Sequence, residues 1–175
     1  MTTITISGLP GSGKTTVAQL LEKKLGLKYV YSGDIFRKMA EKYSMSLEEF
    51  GKYCENNKDV DEQLDNNQLK ELHKGNVIVE GRISGWLAHR NKIPSIKIFL
   101  EADLDTRVSR IVNRERGEFK KRKKEILNRE KSEKVRYKKY YDIDVDDTSI
   151  YDLVIDTTEK TPEDIVNIVL KKLEK

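Results

Sequence analysis

A lysine between glycine and threonine, with two more glycines just upstream, is suited to holding phosphate. Residues 3–16 read TITISGLPGSGKTT, and Gly8, Gly13, Lys14 and Thr15 fill every fixed position of G-x-x-x-x-G-K-[ST]. Gly8, Gly11 and Gly13 keep side chains out of the way, so backbone N–H groups can approach phosphate oxygens. Lys14 supplies a compact cation for the β- and γ-phosphates, and the Thr15 hydroxyl is a hard oxygen ligand for Mg²⁺. The whole turn (Gly8, Leu9, Pro10, Gly11, Ser12, Gly13, Lys14, Thr15 and Thr16) is thus expected to cradle a nucleoside triphosphate, ATP, together with Mg²⁺.

Arginines supply the second half of the chemistry. Ser32-Gly33-Asp34-Ile35-Phe36-Arg37 follows one predicted strand, and Glu80-Gly81-Arg82 follows another. Arg37 lies one helical turn beyond Gly33, and Gly81 lets the chain turn so that Arg82 projects over the sheet edge. Arg107, Arg110, Arg114, Arg129 and Arg136 form a third set. Guanidinium groups bind phosphate oxygens bidentately, and phosphoryl transfer spreads charge over the equatorial oxygens of the moving group. Two phosphates facing each other repel unless cations lie between them. His73 and His89 are expected at the surface or in structural roles. That suits a transfer whose attacking oxygen is already anionic.

These residues need a scaffold. Ile4 and Ile6 share a strand face, and Val17, Leu20, Leu21 and Leu25 recur at helical spacing until Gly26 ends the run. LKYVYS, NVIVEG, SIKIFLEA and DLVID read as four further strands. Ser32, Ser46 and Thr161 are candidate helix caps, DEQLDNNQLKELHKG is a helix ending at Gly75, and a charged helical stretch runs to about Tyr140. Strands alternating with helices predict an α/β fold with a five-stranded parallel sheet, helices on both faces in three layers, and the phosphate site at the carboxyl ends of the strands.

The chain has 175 residues, enough for a single domain, with 37% apolar and 37% charged residues. No apolar run approaches the ~20 residues of a membrane span. The N-terminus has no basic region followed by an apolar stretch and a small-residue cleavage site. Cys54 is the one cysteine, so neither an internal disulfide nor a cysteine-based zinc site can form, and a cytoplasmic protein is expected. The net charge of +4 is uneven: residues 105–141 hold 15 Lys/Arg against 6 Asp/Glu. The run KKRKK at 120–124 reads as a solvated helix face.

In combination and in order, four blocks carry a resemblance: the phosphate loop, Y-S-G-D-I-F-R, V-I-V-E-G-R-I-S-G-W-L, and NREKSEKVRYKKYYDID followed by DLVIDT. From Thr3 to about Thr157 the chain resembles the nucleoside monophosphate kinases, and among them the short archaeal cytidylate kinases. The resemblance implies a P-loop kinase core, a small helical monophosphate-binding part at about 33–75, and a mobile lid at about 114–136. It implies that Ser32, Arg37, Gly81 and Arg82 hold the acceptor, CMP or dCMP, and that Arg107 and Arg110 lie near the donor. Arg129-Glu130-Lys131-Ser132-Glu133-Lys134-Val135-Arg136 fits the lid pattern R-[DE]-x-x-[DE]-x-x-R. There Arg129 and Arg136 would bridge the phosphates with Lys14 and Arg82, and Glu133 would reach a ribose hydroxyl. A monomer is expected, without membrane or nucleic-acid partners.

One departure bears on the base. The bacterial form has an acidic residue directly after Gly-Arg, where this chain has Ile83. AMP and UMP therefore remain alternative acceptors. A more distant alternative is an RNA-associated P-loop protein that uses KKRKK with Tyr137, Tyr140 and Tyr141 as a basic, aromatic surface.

Overall fold

Five short runs of branched aliphatic residues form one parallel sheet. A computed structural model describes residues 2–174. The strands are β1 (Ile4–Gly8), β2 (Lys28–Tyr31), β3 (Val77–Glu80), β4 (Ile96–Glu101) and β5 (Leu153–Asp156), in the order β2-β3-β1-β4-β5. The chain builds the β2–β3 half on one side of β1, then crosses to the other side for β4 and β5. Register places Ile6 opposite Glu80 and Gly8 opposite Leu100. The carboxyl ends of β1 and β3 therefore open side by side where the strand order reverses, the place such sheets bind ligands.

The period-2 alternation of the strands sorts side chains to two faces. Ile78 joins Ile4, Ile6, Ile98 and Leu100 beneath α1 (Lys14–Leu25) and α8 (Pro162–Leu173). Its neighbours Val77 and Val79 join Leu72, Ile83, Leu87 and Tyr137 on the opposite face. That face is covered by α4 (Lys58–Lys74), α5 (Ser84–Arg90) and α7 (Phe119–Tyr141). Together these make the three layers that the alternation of elements predicts.

Two excursions leave the sheet at its carboxyl edge. Between β2 and β3 the chain forms α2 (Ser32–Lys42), α3 (Leu47–Cys54) and α4. This part has a core of its own around Phe50, Ala40, Cys54 and Val60, with the Phe36 ring 4.9 Å from that of Phe50. Between β4 and β5 lie α6 (Leu104–Glu115) and α7, joined by Val108, Ile111 and Ile126. Arg116 at φ 58° and Gly117 at φ 116° reverse the chain between them.

Ser46 caps α3 in a reciprocal box with Glu49, and Thr161 caps α8 with Asp164. Ser32 does not cap α2. It is the first helical residue, and its hydroxyl donates to Glu80 O at 2.8 Å, so the serine ties two strand ends together. Among the described residues no helix is long and apolar enough to cross a membrane.

Candidate active site

A cavity of about 390 Å³ opens at the carboxyl ends of β1 and β3. Gly8, Pro10, Gly11, Gly13, Lys14, Thr15 and Thr16 line one end of it. Gly8 must be glycine: at φ 149° a Cβ would sit 2.1 Å from Leu100 O on the adjacent strand. Leu9 and Ser12 are not among the cavity's lining residues: Leu9 N donates to Leu100 O at 3.2 Å, and Ser12 is buried. The Lys14 ammonium donates to Gly8 O at 3.0 Å and Leu9 O at 2.8 Å, which curls it into the loop. Burial pulls its pKa down to about 8, against the pull of Glu80 and with the push of Arg82 and Arg129. It is still a cation at neutral pH.

Beside Lys14 stands a carboxylate that the sequence reading does not single out. Glu80, the last residue of β3, is 2% exposed. Its Oε1 accepts from Thr15 Oγ1 at 3.0 Å, and its Oε2 accepts from the Tyr29 hydroxyl. A threonine hydroxyl and a carboxylate in contact form a hard-oxygen pair. Mg²⁺ favours such donors, one or two from the protein and the rest from phosphates and water. Among the described residues no group of three His, Cys, Asp or Glu could hold a metal ion. The signal available in the sequence was the acid that ends the buried run Val77-Ile78-Val79.

The other end of the cavity is lined with arginine. The Arg82 side chain is 7% exposed; its Nε donates to Glu133 Oε2 at 2.8 Å, while Nη1 and Nη2 have no partner. Each buried donor left unpaired costs about 1–3 kcal/mol. Arg129 Nε donates to Glu133 Oε1 at 3.0 Å. Arg136 Nη1 donates to Asp61 Oδ1 at 2.6 Å, its Nε is unpaired, and its guanidinium lies 5.4 Å from the Phe36 ring centre. Both Glu133 oxygens are thus taken by arginines. Burial alone would raise its pKa, but Arg129, Arg82 and Arg136 outweigh that and hold it at about 2. Arg37 lines the mouth, 3.7 Å from Glu115, which Arg114 also contacts at 2.5 Å. Ser32 and Gly81 lie in the wall between the two ends.

Arg107 and Arg110 do not line the cavity. Arg107 is buried behind the loop, donating to Ala102 O and Pro10 O and pairing with Glu130 at 2.5 Å. Arg110 donates to Thr157, whose hydroxyl in turn donates to Ser12 O at 2.9 Å. Both reach the loop from its protein side. His73 and His89 are exposed. Tyr137 is buried, and the Tyr140 hydroxyl donates to Cys54 O at 2.6 Å, so these rings pack inward and do not form a surface for bases. Burial pushes the Cys54 thiol up to about 11.

In chemical terms, one enclosed space holds an anion cradle with a lysine, a hydroxyl–carboxylate pair, and arginine nitrogens without partners. Over nearly its whole length the chain is similar to known proteins. Residues 3–159 match the model of the cytidylate kinase-like family. A cytidylate kinase of Methanocaldococcus jannaschii is 46% identical over 167 residues, covering 95% of this chain and 94% of that one. A cytidylate kinase of Archaeoglobus fulgidus is 45% identical over 172 residues, covering 98% and 94%. Among solved structures, an uncharacterized protein from Eubacterium ventriosum superposes with a TM-score of 0.73 at 18% identity, over 100% of this chain and 99% of that chain. Shikimate kinase from Acinetobacter baumannii gives 0.59 at 14% identity, over 99% and 93%. The last two likenesses establish the shared fold alone.

Proposed function

The chain belongs to the cytidylate kinase-like family, and from that premise we propose that it transfers the γ-phosphate of ATP to CMP or dCMP, giving ADP and CDP or dCDP. The observation that carries this reading is the pair of unpartnered, buried Arg82 nitrogens in the same cavity as Lys14. Burial, and after it the nearby Arg82 and Arg129, lower Lys14's hold on its own proton, against Glu80. A phosphate group between Lys14 and Arg82 relieves both costs.

The triphosphate lies along the loop from Gly8 to Thr16, with the Lys14 ammonium on its β- and γ-oxygens. Arg107 and Arg110 support the loop from behind. Thr15 Oγ1 and the Glu80 carboxylate would hold Mg²⁺, which supplies charge neutralisation at the phosphates. The acceptor's phosphate takes the free nitrogens of Arg82 and Arg136 Nε, and Ser32 and Gly81 allow its close approach. Arg37 exchanges its long contact with Glu115 for the acceptor. Arg129 stands at the meeting point of the two nucleotides, oriented by Glu133. The helices α2–α4 form the acceptor-binding part, and residues 114–136, from the end of α6 through most of α7, form the lid.

The acceptor oxygen is anionic and attacks in line, so no side chain needs to remove a proton. Catalysis is positioning and charge neutralisation. Lid closure keeps water from taking the γ-phosphate. A monomer suffices, because one chain provides every group in the cleft. The nucleotide substrates and the single buried thiol suit a cytoplasmic enzyme.

The test is an acceptor panel. With ATP and Mg²⁺, kcat/KM is measured for CMP, dCMP, UMP and AMP. The expected result is the highest value on CMP or dCMP. A highest value on AMP would make this an adenylate-type kinase, and salt-dependent RNA binding without any turnover would overturn the kinase reading.

A further inference from the structure

Polar side chains on the inward face of α4 carry oxygens that nothing in the protein occupies. Asp61, Asp65 and Gln68 are 2%, 6% and 3% exposed, and all three line the cavity. Asp61 is committed to Arg136. Gln68 Nε2 donates to Asp65 Oδ1 at 3.1 Å. While Asp65 is ionised that bond fixes the amide, because a carboxylate oxygen accepts from the N–H side and repels the carbonyl side. Gln68 Oε1 is left as a buried acceptor without a donor. It sits against the acceptor end of the cleft: a Cβ added at Gly81 would lie 2.4 Å from it and 2.6 Å from Ser32 Oγ. Ser32 cannot satisfy it, since its proton goes to Glu80 O. Leu64, Phe36 and Tyr137 supply apolar wall around the same space.

A ligand that fills this gap must bring a donor. We propose that Gln68 reads the base of the acceptor nucleotide, its Oε1 accepting a hydrogen bond from the exocyclic amino group of cytosine, with Asp65 as the positioning residue that keeps the amide in that orientation. The inference rests on the monophosphate-kinase reading above and adds the residue that chooses the base. Uracil presents a carbonyl oxygen where cytosine presents the amino group. Two acceptors would then face each other, and the amide cannot turn to donate without setting its own oxygen against Asp65. Sites built to bond one polar group reject analogues that lack it, because the site's own group is stranded. Nothing comes from Ile83, which is 1% exposed and packs in the core.

The experiment compares kcat/KM for CMP and UMP, with KM for ATP as the control, in wild type, Gln68→Met and Asp65→Asn, at about pH 8.5, where Asp65 is ionised. Gln68→Met keeps the length of the side chain and removes the acceptor. It is expected to lower kcat/KM for CMP by about 10–100-fold while changing UMP little. Asp65→Asn lets the amide turn, so UMP gains relative to CMP by about tenfold or more. ATP KM is expected within about twofold of wild type in both, because neither residue belongs to the phosphate loop. A merely structural role would lower CMP and UMP together. A CMP/UMP ratio unchanged in both variants, with ATP KM retained, overturns the assignment and leaves the kinase reading standing. A wild type that does not phosphorylate CMP overturns both. If Gln68→Met loses ATP binding through misfolding, Asp65→Asn decides alone.

Discussion

Lys14 is the cation proposed to meet the triphosphate. Its ammonium is parked on two loop carbonyls, and burial has moved its pKa to about 8. Truncating it removes the charge that meets the transferring phosphoryl group. Lys14→Ala is expected to lower kcat by about a hundredfold or more while the protein stays folded. Steady-state turnover checks this, and near-wild-type turnover would remove Lys14 from the mechanism. That Lys14, Thr15 and Arg82 line one cavity was legible from residue type and spacing. The places of Glu80 and Gln68 in it were not, because they depend on which atoms lie beside them across the sheet and on α4. A polar side chain on an inward helix face looks the same in sequence whether it is satisfied or stranded.

Asp65 and Glu133 bear on stability in opposite directions. Burial raises Asp65 from 3.8 to about 7, with Asp61 adding to the shift and Arg136 opposing it. The folded protein therefore binds more protons than the unfolded chain between those pH values, and stability is lost as pH rises through them. Glu133 is held at about 2 against 4.5 for a free carboxyl. Its contribution is complete above 4.5 and is lost as pH falls toward 2. The Tm of Asp65→Asn relative to wild type is thus expected to grow by several degrees between pH 5 and pH 8. Thermal melts at the two pH values measure it, and a constant difference would contradict it. A gain in stability at the cost of base discrimination is what a group retained for its ligand gives.

At the scale of elements, the five strands were readable because buried parallel strands are short apolar runs between turns. Two features were not. Ser32 has the residue type of a cap but lies inside α2, where its hydroxyl bonds the end of β3. The break at Arg116 and Gly117 falls within a charged stretch whose pattern gives little sign of where one helix stops. The end of β3 is the element on which most of the site depends, since Glu80, Gly81 and Arg82 serve both ends of the cleft in turn. Gly81→Ala places a methyl group where Gln68 Oε1 and Ser32 Oγ now lie. The ends of these side chains can move, so the variant is expected to fold. Its KM for CMP is expected to rise about tenfold or more, with KM for ATP within about twofold. Substrate titrations decide it, and a rise confined to ATP would misplace the acceptor.

For the molecule as a whole, the uneven charge of the sequence has become an uneven architecture. The basic segment folds as α6 and α7, and its exposed lysines at 120, 121 and 124 stay in solvent while Arg129 and Arg136 turn into the cleft. One 23-residue helix, α7, touches α6 through Ile126, approaches Gly51 of α3 through Ser132 and enters the sheet's core through Tyr137. Arg129, Glu133 and Arg136 are therefore held on one continuous element. The fold and the phosphate cradle could be inferred from local pattern, but this coupling could not, because it arises from contacts among segments far apart in the chain.

The central proposition is that two nucleotides meet end to end in one cleft, between Lys14 and Arg82. Adenosine and cytidine joined 5′ to 5′ through five phosphates would occupy both halves at once. Calorimetry is expected to give one molecule bound per chain, about 10²–10⁴-fold tighter than ATP or CMP alone, as linked sites require, and inhibition competitive with both substrates. Two molecules bound per chain, or competition with ATP alone, would contradict it.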